Sequence, residues 1–149
     1  MSRTLQAEIT IQAPADQVWE VLTDFAAYRD WNPFMVDASG RALPGDRLEL
    51  HLRLNGRELT IRPEVLEADP GRKLRWLGRL LLPGLFDGEH SFTIRPTNPG
   101  QVQLVQQEEF RGLLSPLLLA VIAKPTLASF HQMNEALKGR VERPTSTGS

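Results

Sequence analysis

Residues 88–110, GEHSFTIRPTNPGQVQLVQQEEF, run directly into residues 111–141, RGLLSPLLLAVIAKPTLASFHQMNEALKGRV, and the change of period between them decides the fold. In the first stretch His90, Phe92 and Ile94 alternate with Glu89, Ser91 and Thr93. The group Thr97-Asn98-Pro99-Gly100 interrupts the pattern, and Val102, Leu104 and Phe110 resume it. Residues two apart share one face of a strand, so this is read as a hairpin of two long antiparallel strands. In the second stretch Leu119, Ala123, Leu127, Phe130, Leu137 and Val141 recur at helical spacing. Ser115-Pro116 precedes them as an N-cap residue and a first-turn proline. Pro125 falls inside this helix, where it removes one backbone donor and should kink the axis.

Working back from the hairpin, Leu74 and Trp76 share a face after the turn Asp69-Pro70-Gly71. The segment Glu58–Glu67 is read as one strand carrying Leu59, Ile61 and Val65, with Pro63 marking an edge or a bulge. Asn55-Gly56 is a tight-turn signal that joins it to Asp46–Leu54. In that strand Leu48, Leu50, Leu52 and Leu54 take one face, and Arg47, Glu49, His51 and Arg53 the other. At the start of the chain Leu5, Ala7, Ile9 and Ile11 alternate with polar residues as a half-buried strand. Pro14 then opens a helix whose Val18, Val21, Leu22 and Phe25 form one apolar stripe. A second short helix over Ala26–Trp31 ends at Asn32-Pro33, because proline disfavours helical geometry in the residue before it. The order is strand, two short helices, about six strands and a long helix. It predicts an α+β domain, a curved antiparallel sheet wrapped around the C-terminal helix. A bent sheet closed by one helix leaves a hollow of the kind that holds apolar ligands. Residues 1–143 are read as a single domain and residues 144–149 as a flexible polar tail.

The net charge is -1 and the basic residues are scattered, so no stripe is available to track a nucleic-acid backbone. The chain has no cysteine, which excludes disulfides, thiolate metal sites and cysteine nucleophiles and suits a reducing compartment. The N-terminus lacks an apolar leader and no window is long enough to span a bilayer, so a cytoplasmic location is the expectation. Three isolated histidines without ligand spacing predict no metal site, and no cofactor is expected. The glycines occur singly and are read as turn residues, so there is no phosphate loop. No nucleophile elbow is present either.

Several strings in order resemble the SRPBCC superfamily, the START/Bet v 1-like group that includes polyketide cyclase/dehydrase-type proteins. They are Ile11-Gln12-Ala13-Pro14-Ala15-Asp16-Gln17-Val18-Trp19, Tyr28-Arg29-Asp30-Trp31-Asn32-Pro33-Phe34, Gly88-Glu89-His90-Ser91-Phe92, Glu108-Glu109-Phe110-Arg111-Gly112-Leu113-Leu114 and Phe130-His131-Gln132-Met133-Asn134-Glu135-Ala136-Leu137-Lys138. The resemblance implies the helix-grip fold. It does not choose a reaction, because that group includes lipid and hormone carriers, aromatic cyclases, quinone-binding proteins and chaperone co-activators.

One pattern goes beyond the fold. His90, Gln106 and Glu108 share the core-facing phase of Phe92, Ile94, Leu104 and Phe110. Polar groups on such a face cost about 1–3 kcal/mol each unless hydrogen-bonded, so they require partners, a wet cavity, or a bulge that turns them outward. Pairing parity requires opposite positions to have an even sum; with the turn centred near Pro99, a sum of 198 sets His90 opposite Glu108 and Phe92 opposite Gln106, whereas a slip of two residues would place Gln106 or Phe110 opposite His90. His90 and Glu108 are therefore the candidate acid–base groups. Trp31 and Trp76 are read as walls of the core or cavity. The run Leu80–Phe86 is apolar where a loop should be polar, so Leu82 and Phe86 line a cavity mouth or pack under the helix. Leu118, Ile122 and Phe130 complete the expected ligand-binding set from the helix. His51 and His131 are expected in solvent. The functional expectation is binding of a small apolar or aromatic ligand in the cavity. The alternatives are a cyclase, dehydratase or hydrolase using His90 and Glu108, and a protein-interaction module. A homodimer through the apolar loop or the C-terminal helix is a further option.

Overall fold

The computed structural model of the chain describes residues 3–79 and 82–143. The expected tail at 144–149 and two residues of the apolar run, Leu80 and Leu81, lie outside the described residues. In chain order the elements are β1 (Arg3–Ile11), α1 (Ala15–Thr23), a 3-10 turn (Phe25–Ala27), α2 (Tyr28–Trp31), β2 (Met35–Ser39), β3 (Glu49–Leu54), β4 (Arg57–Ile61), β5 (Glu64–Asp69), β6 (Lys73–Arg79), β7 (Asp87–Asn98), β8 (Gln101–Arg111) and α3 (Ser115–Glu142). Five strands form one antiparallel sheet in the order β1-β8-β7-β6-β5, and β2-β3-β4 form a second. The curved sheet gripping a long C-terminal helix is the expected fold class.

Two local readings change. The strand expected over Glu58–Glu67 is two strands in different sheets, β4 ending at Ile61 and β5 starting at Glu64. Pro63 has no N–H to offer a ladder, so pairing stops there and the chain turns the corner between the sheets. Backbone bonds from Leu48 N to the Pro63 carbonyl (2.9 Å) and from Val65 N to the Asp46 carbonyl (2.8 Å) stitch that corner. Ser115 is not the N-cap of α3: Leu114 holds that position, and Ser115 Oγ donates back to the Gly112 carbonyl at 3.0 Å. The helix runs on through Pro125 to Glu142.

Other signals act as their chemistry requires. Asn55 and Gly56 both take positive φ, 55° and 78°, the pair that a type I′ hairpin turn needs between β3 and β4. Asn32 ends α2 and its Oδ1 accepts from the N–H groups of Phe34 (3.0 Å) and Met35 (2.9 Å), which turns the chain into β2. Tyr28 is fully buried and its hydroxyl donates to the Leu22 carbonyl. Burial first, then the nearby Asp24, pushes its pKa far above the ordinary tyrosine range, so it stays neutral.

The far end of α3 is fastened to the end of β1. Glu142 Oε2 accepts from Gln12 N (2.6 Å) and Lys138 Nζ (2.6 Å), and Lys138 Nζ also donates to the Thr10 carbonyl (3.0 Å). The Gln12 amide first, then Lys138, holds the Glu142 carboxyl below its ordinary range. A carboxyl whose folded value is lowered stabilises the fold above its unfolded value and loses that contribution as the pH falls through the folded one. Glu142→Gln should therefore cost about 0.5–1 kcal/mol at neutral pH. In paired thermal melts the difference should shrink towards zero as the pH drops below the normal carboxylate range. A difference that grows with acid would contradict the clamp.

Candidate functional site

Between the sheets and the first half of α3 lies a cavity of about 230 Å³. The leucine face of β3 and its neighbour β4 supply Leu50, Leu52, Leu54, Leu59 and Ile61. The inner face of α3 supplies Leu118, Ile122 and Thr126, spaced four apart as one helical stripe. The floor is β6, β7 and β8, with Trp76, Gly78, Gly88, His90, Glu108 and Phe110, and Phe34, Met35 and Phe86 close the ends. Leu59, 48% exposed, marks the side open to solvent.

Sequence explains why the hollow is at this end. Gly78 and Gly88 lie opposite each other in the β6–β7 ladder, so two adjacent floor positions have no side chain. One helical turn beyond Thr126 the helix carries Phe130, then Met133 and Leu137, all fully buried. Phe130 meets His90 edge-on at 5.1 Å, and Trp76 and Phe92 lie 5.6 Å apart. Large side chains fill the space there, and small ones leave it empty here.

The polar residues form a chain along the boundary between the filled and empty ends. In the ladder His90 pairs with Glu108 and Phe92 with Gln106, the expected register. His90 Nδ1 is 3.0 Å from Glu108 Oε1, and His90 Nε2 is 3.0 Å from Gln106 Oε1. Gln106 Nε2 donates to the Phe130 carbonyl (3.2 Å) and to Asn134 Oδ1 (2.7 Å). A carbonyl can only accept, so the amide nitrogen must face Phe130 and the amide oxygen must face His90. His90 Nε2 thus carries a hydrogen. On the other side of the ring His90 Nδ1 faces the Glu108 carboxyl group at 3.0 Å. The ring is thus held between a carboxyl group and an amide oxygen, stacked on Trp76 at 5.3 Å. The bulge that would turn Gln106 and Glu108 outward is not present.

Both ring nitrogens of His90 are occupied and the residue is 3% exposed, so it cannot reach a ligand through nitrogen. The free polar atom on the floor is Glu108 Oε2. It lies where a Cβ on residue 88 would stand, so glycine at 88 makes room for the carboxylate. Thr126 Oγ1, opposite on the helix, is buried and has no hydrogen-bond partner among the described residues.

Of the residues singled out in the sequence, Trp76, Phe86, His90, Glu108, Leu118 and Ile122 line this cavity. Five do not. Gln106, Phe92 and Phe130 are sealed behind His90, each fully buried. Trp31 packs on the far side of α3 in a surface cleft with Arg140 and Arg143, its ring 5.1 Å from Tyr28. Leu82 is 72% exposed, outside the cavity wall, because the loop turns outward before Phe86 turns in. Leu82→Asp should accordingly leave the affinity for an apolar fluorescent probe within about twofold of wild type. A large loss in a folded variant would put the loop back at the mouth. Nothing in the sequence pattern singles out Thr126, and Gly78 and Gly88, which read as turn residues, both sit inside strands. His51 bonds Thr60 Oγ1 at 2.9 Å on the outer face, and His131 is exposed.

The sequence model of the family described as polyketide cyclase/dehydrase and lipid transport matches residues 2–142. The chain belongs to that family. No curated protein matches the sequence significantly. Among solved structures, the Zhui aromatase/cyclase from a Streptomyces species is similar over 100% of both chains at 21% identity, with a TM-score of 0.79. A START superfamily protein from Mycobacterium smegmatis has a TM-score of 0.73 at 21% identity, covering 93% of this chain and 97% of its own. A Thalictrum norcoclaurine synthase has a TM-score of 0.70 at 15% identity, covering 95% and 94%. At these identities the likeness is one of fold. No helix among the described residues is long and apolar enough to cross a membrane.

Proposed function

We propose that this family member binds a small apolar or aromatic molecule in the cavity between the sheets and α3. The observation that carries the reading is a hollow, open on one side, walled by leucine, isoleucine and aromatic side chains, with a single carboxylate oxygen free on its floor. A dry cavity of roughly 150 Å³ is known to take benzene, so about 230 Å³ suits a fused two-ring system or a short branched chain. A sealed core would have favoured a protein-interaction module, and the cavity weighs against that. A cysteine-free chain suits a cytoplasmic location.

A second reading is acid–base catalysis of the cyclase or dehydratase kind. It is favoured by the His90–Glu108 pair at 3.0 Å beside the cavity and by the family description. In that case Glu108 is the group that meets substrate, and His90 is a positioning residue that holds it and its proton. Glu108→Gln would then abolish turnover and spare binding.

Titration with a neutral naphthalene fluorophore tests the first reading. Trp76 lines the cavity, so its emission should be quenched by energy transfer, saturating at one probe per chain. Non-saturating, linear uptake would overturn it.

A further inference from the structure

We propose that the outer face of segment 113–124, which begins α3, is the contact through which two copies of this chain pair. Residues 112–123 carry no charge, and their apolar side chains point to every side of the helix. Leu118 and Ile122 line the cavity and Leu119 is buried, whereas Leu113 (82%), Leu117 (69%) and Val121 (75%) are exposed. A helix that is apolar all round belongs in a buried position. Bonds from Leu113 N to the Gly84 carbonyl (3.1 Å) and from Leu114 N to the Leu85 carbonyl (2.9 Å) hold the loop before β7 against the start of the helix. Exposed Leu82 on that loop extends the same patch. Four of the six large apolar side chains exposed among the described residues are gathered here, and such clustering marks a contact surface.

Charge favours a protein over a lipid surface. Helices that lie on membranes flank their apolar face with lysine and arginine. Here the nearby arginines are neutralised, Arg111 by Glu109 (2.6 Å) and Arg79 by Asp87 (3.9 Å), and the net charge of the chain is -1. An apolar centre with a rim of both signs is the anatomy of a protein contact. The pattern also fits itself. The exposed positions 113, 116, 117, 120, 121 and 124 have the same spacing read in either direction. In an antiparallel pair about a twofold axis, Leu117 meets the partner's Ala120, large against small, and Pro116 meets the partner's Val121. Lys124 then lays its stem along the partner's Leu113 and brings its ammonium to the acidic end of the patch. There the Asp87 carboxylate accepts from Gly84 N at 3.3 Å. The two lysines stand at opposite ends of the contact. The patch is on the order of 500 Å² per copy, below a standard interface, so the pairing is weak and reversible.

Sedimentation velocity of the protein without added ligand, from roughly 1 to 500 μM, measures the pairing independently of the cavity. Wild type should pass from monomer to dimer with a dissociation constant on the order of 10–100 μM. Leu117→Glu, on the exposed face, should keep its melting temperature within about 2 °C and raise that constant at least about tenfold. Because the chain has no cysteine, single introduced cysteines report the orientation. Ala120→Cys should join two copies by a disulfide on mild oxidation. Lys124→Cys should not, since antiparallel pairing sets its two copies about 16 Å apart along the helix, beyond disulfide reach. Wild type that stays monomeric at every concentration would overturn the proposal, as would a dimer that Leu117→Glu leaves intact. Equal cross-linking of both cysteine variants would overturn the antiparallel contact. Flotation with neutral and with anionic phospholipid vesicles checks the other occupant. Vesicle binding by wild type that Leu117→Glu abolishes would assign the face to a lipid surface and overturn the pairing.

Discussion

Replacing Gln106 by leucine should destabilise the protein by about 2–4 kcal/mol, although the two side chains are similar in size and the site is wholly buried. Gln106 is the central link of the polar chain. Its oxygen receives His90 Nε2 at 3.0 Å, and its nitrogen serves Asn134 Oδ1 at 2.7 Å and the Phe130 carbonyl at 3.2 Å. Leucine answers none of these. It leaves a buried N–H on the His90 ring and a buried amide oxygen without partners, and each such orphan costs on the order of 1–3 kcal/mol. The gain from burying a more apolar side chain is smaller than that sum. For a chain of this length the melting temperature should fall by roughly 5–15 °C. Urea denaturation of the variant beside wild type measures it, with Gln107→Leu, on the other face of β8, as the control expected to change little. A neutral Gln106→Leu would mean that the network is not formed in solution. The same variant should also loosen the His90 ring from its doubly bonded state, visible in the ¹⁵N shifts of both ring nitrogens.

Much of this was legible in the sequence, and the reason is parity. Strand residues point alternately to two faces, and opposite residues in an antiparallel hairpin point the same way, so a turn centred near Pro99 allows His90 against Glu108, with registers slipped by two residues as the alternatives, and the ladder takes the first of these. The polar residues on a core face then demanded partners, and they found one another. What parity cannot supply is depth along the helix. Phe92 and Phe130 share the face of His90, yet lie on the filled side of it, because side-chain volume along α3 decides where the hollow ends. Trp31 sits on a short helix whose side of α3 no local pattern specifies. Pro63 announced an interruption, but whether the chain bulges or changes sheet depends on pairing with residues 45–48, which is a tertiary matter. The apolar run Leu80–Phe86 is read correctly as unusual. Its Phe86 turns inward to stack on Phe110 at 5.4 Å and its Leu82 turns outward, a division that no periodicity announces within a loop. Gly78 and Gly88 misled in the opposite sense. A glycine inside a strand is a mark of close approach or missing volume, and here it meant both.

That missing volume gives the sharpest test of the cavity itself. A Cβ on residue 78 would meet nothing closer than Ile61 Cδ1 at 3.8 Å, an ordinary contact, and Gly78 takes no positive φ. Valine there fits the strand, favours it over glycine by about 0.5–1 kcal/mol or more, and places three carbon atoms in the hollow. A bicyclic ligand would have to displace them or distort the wall, at a cost of about 1–3 kcal/mol, tenfold or more in affinity. Substitutions that weaken binding usually weaken folding as well, and this one separates the two. The decisive measurement is fluorophore titration and thermal unfolding of wild type and Gly78→Val side by side. Saturable binding to wild type, with a variant at least as stable that binds at least about tenfold more weakly, is the predicted result. Equal binding by both folded proteins would place the ligand elsewhere and contradict the central claim.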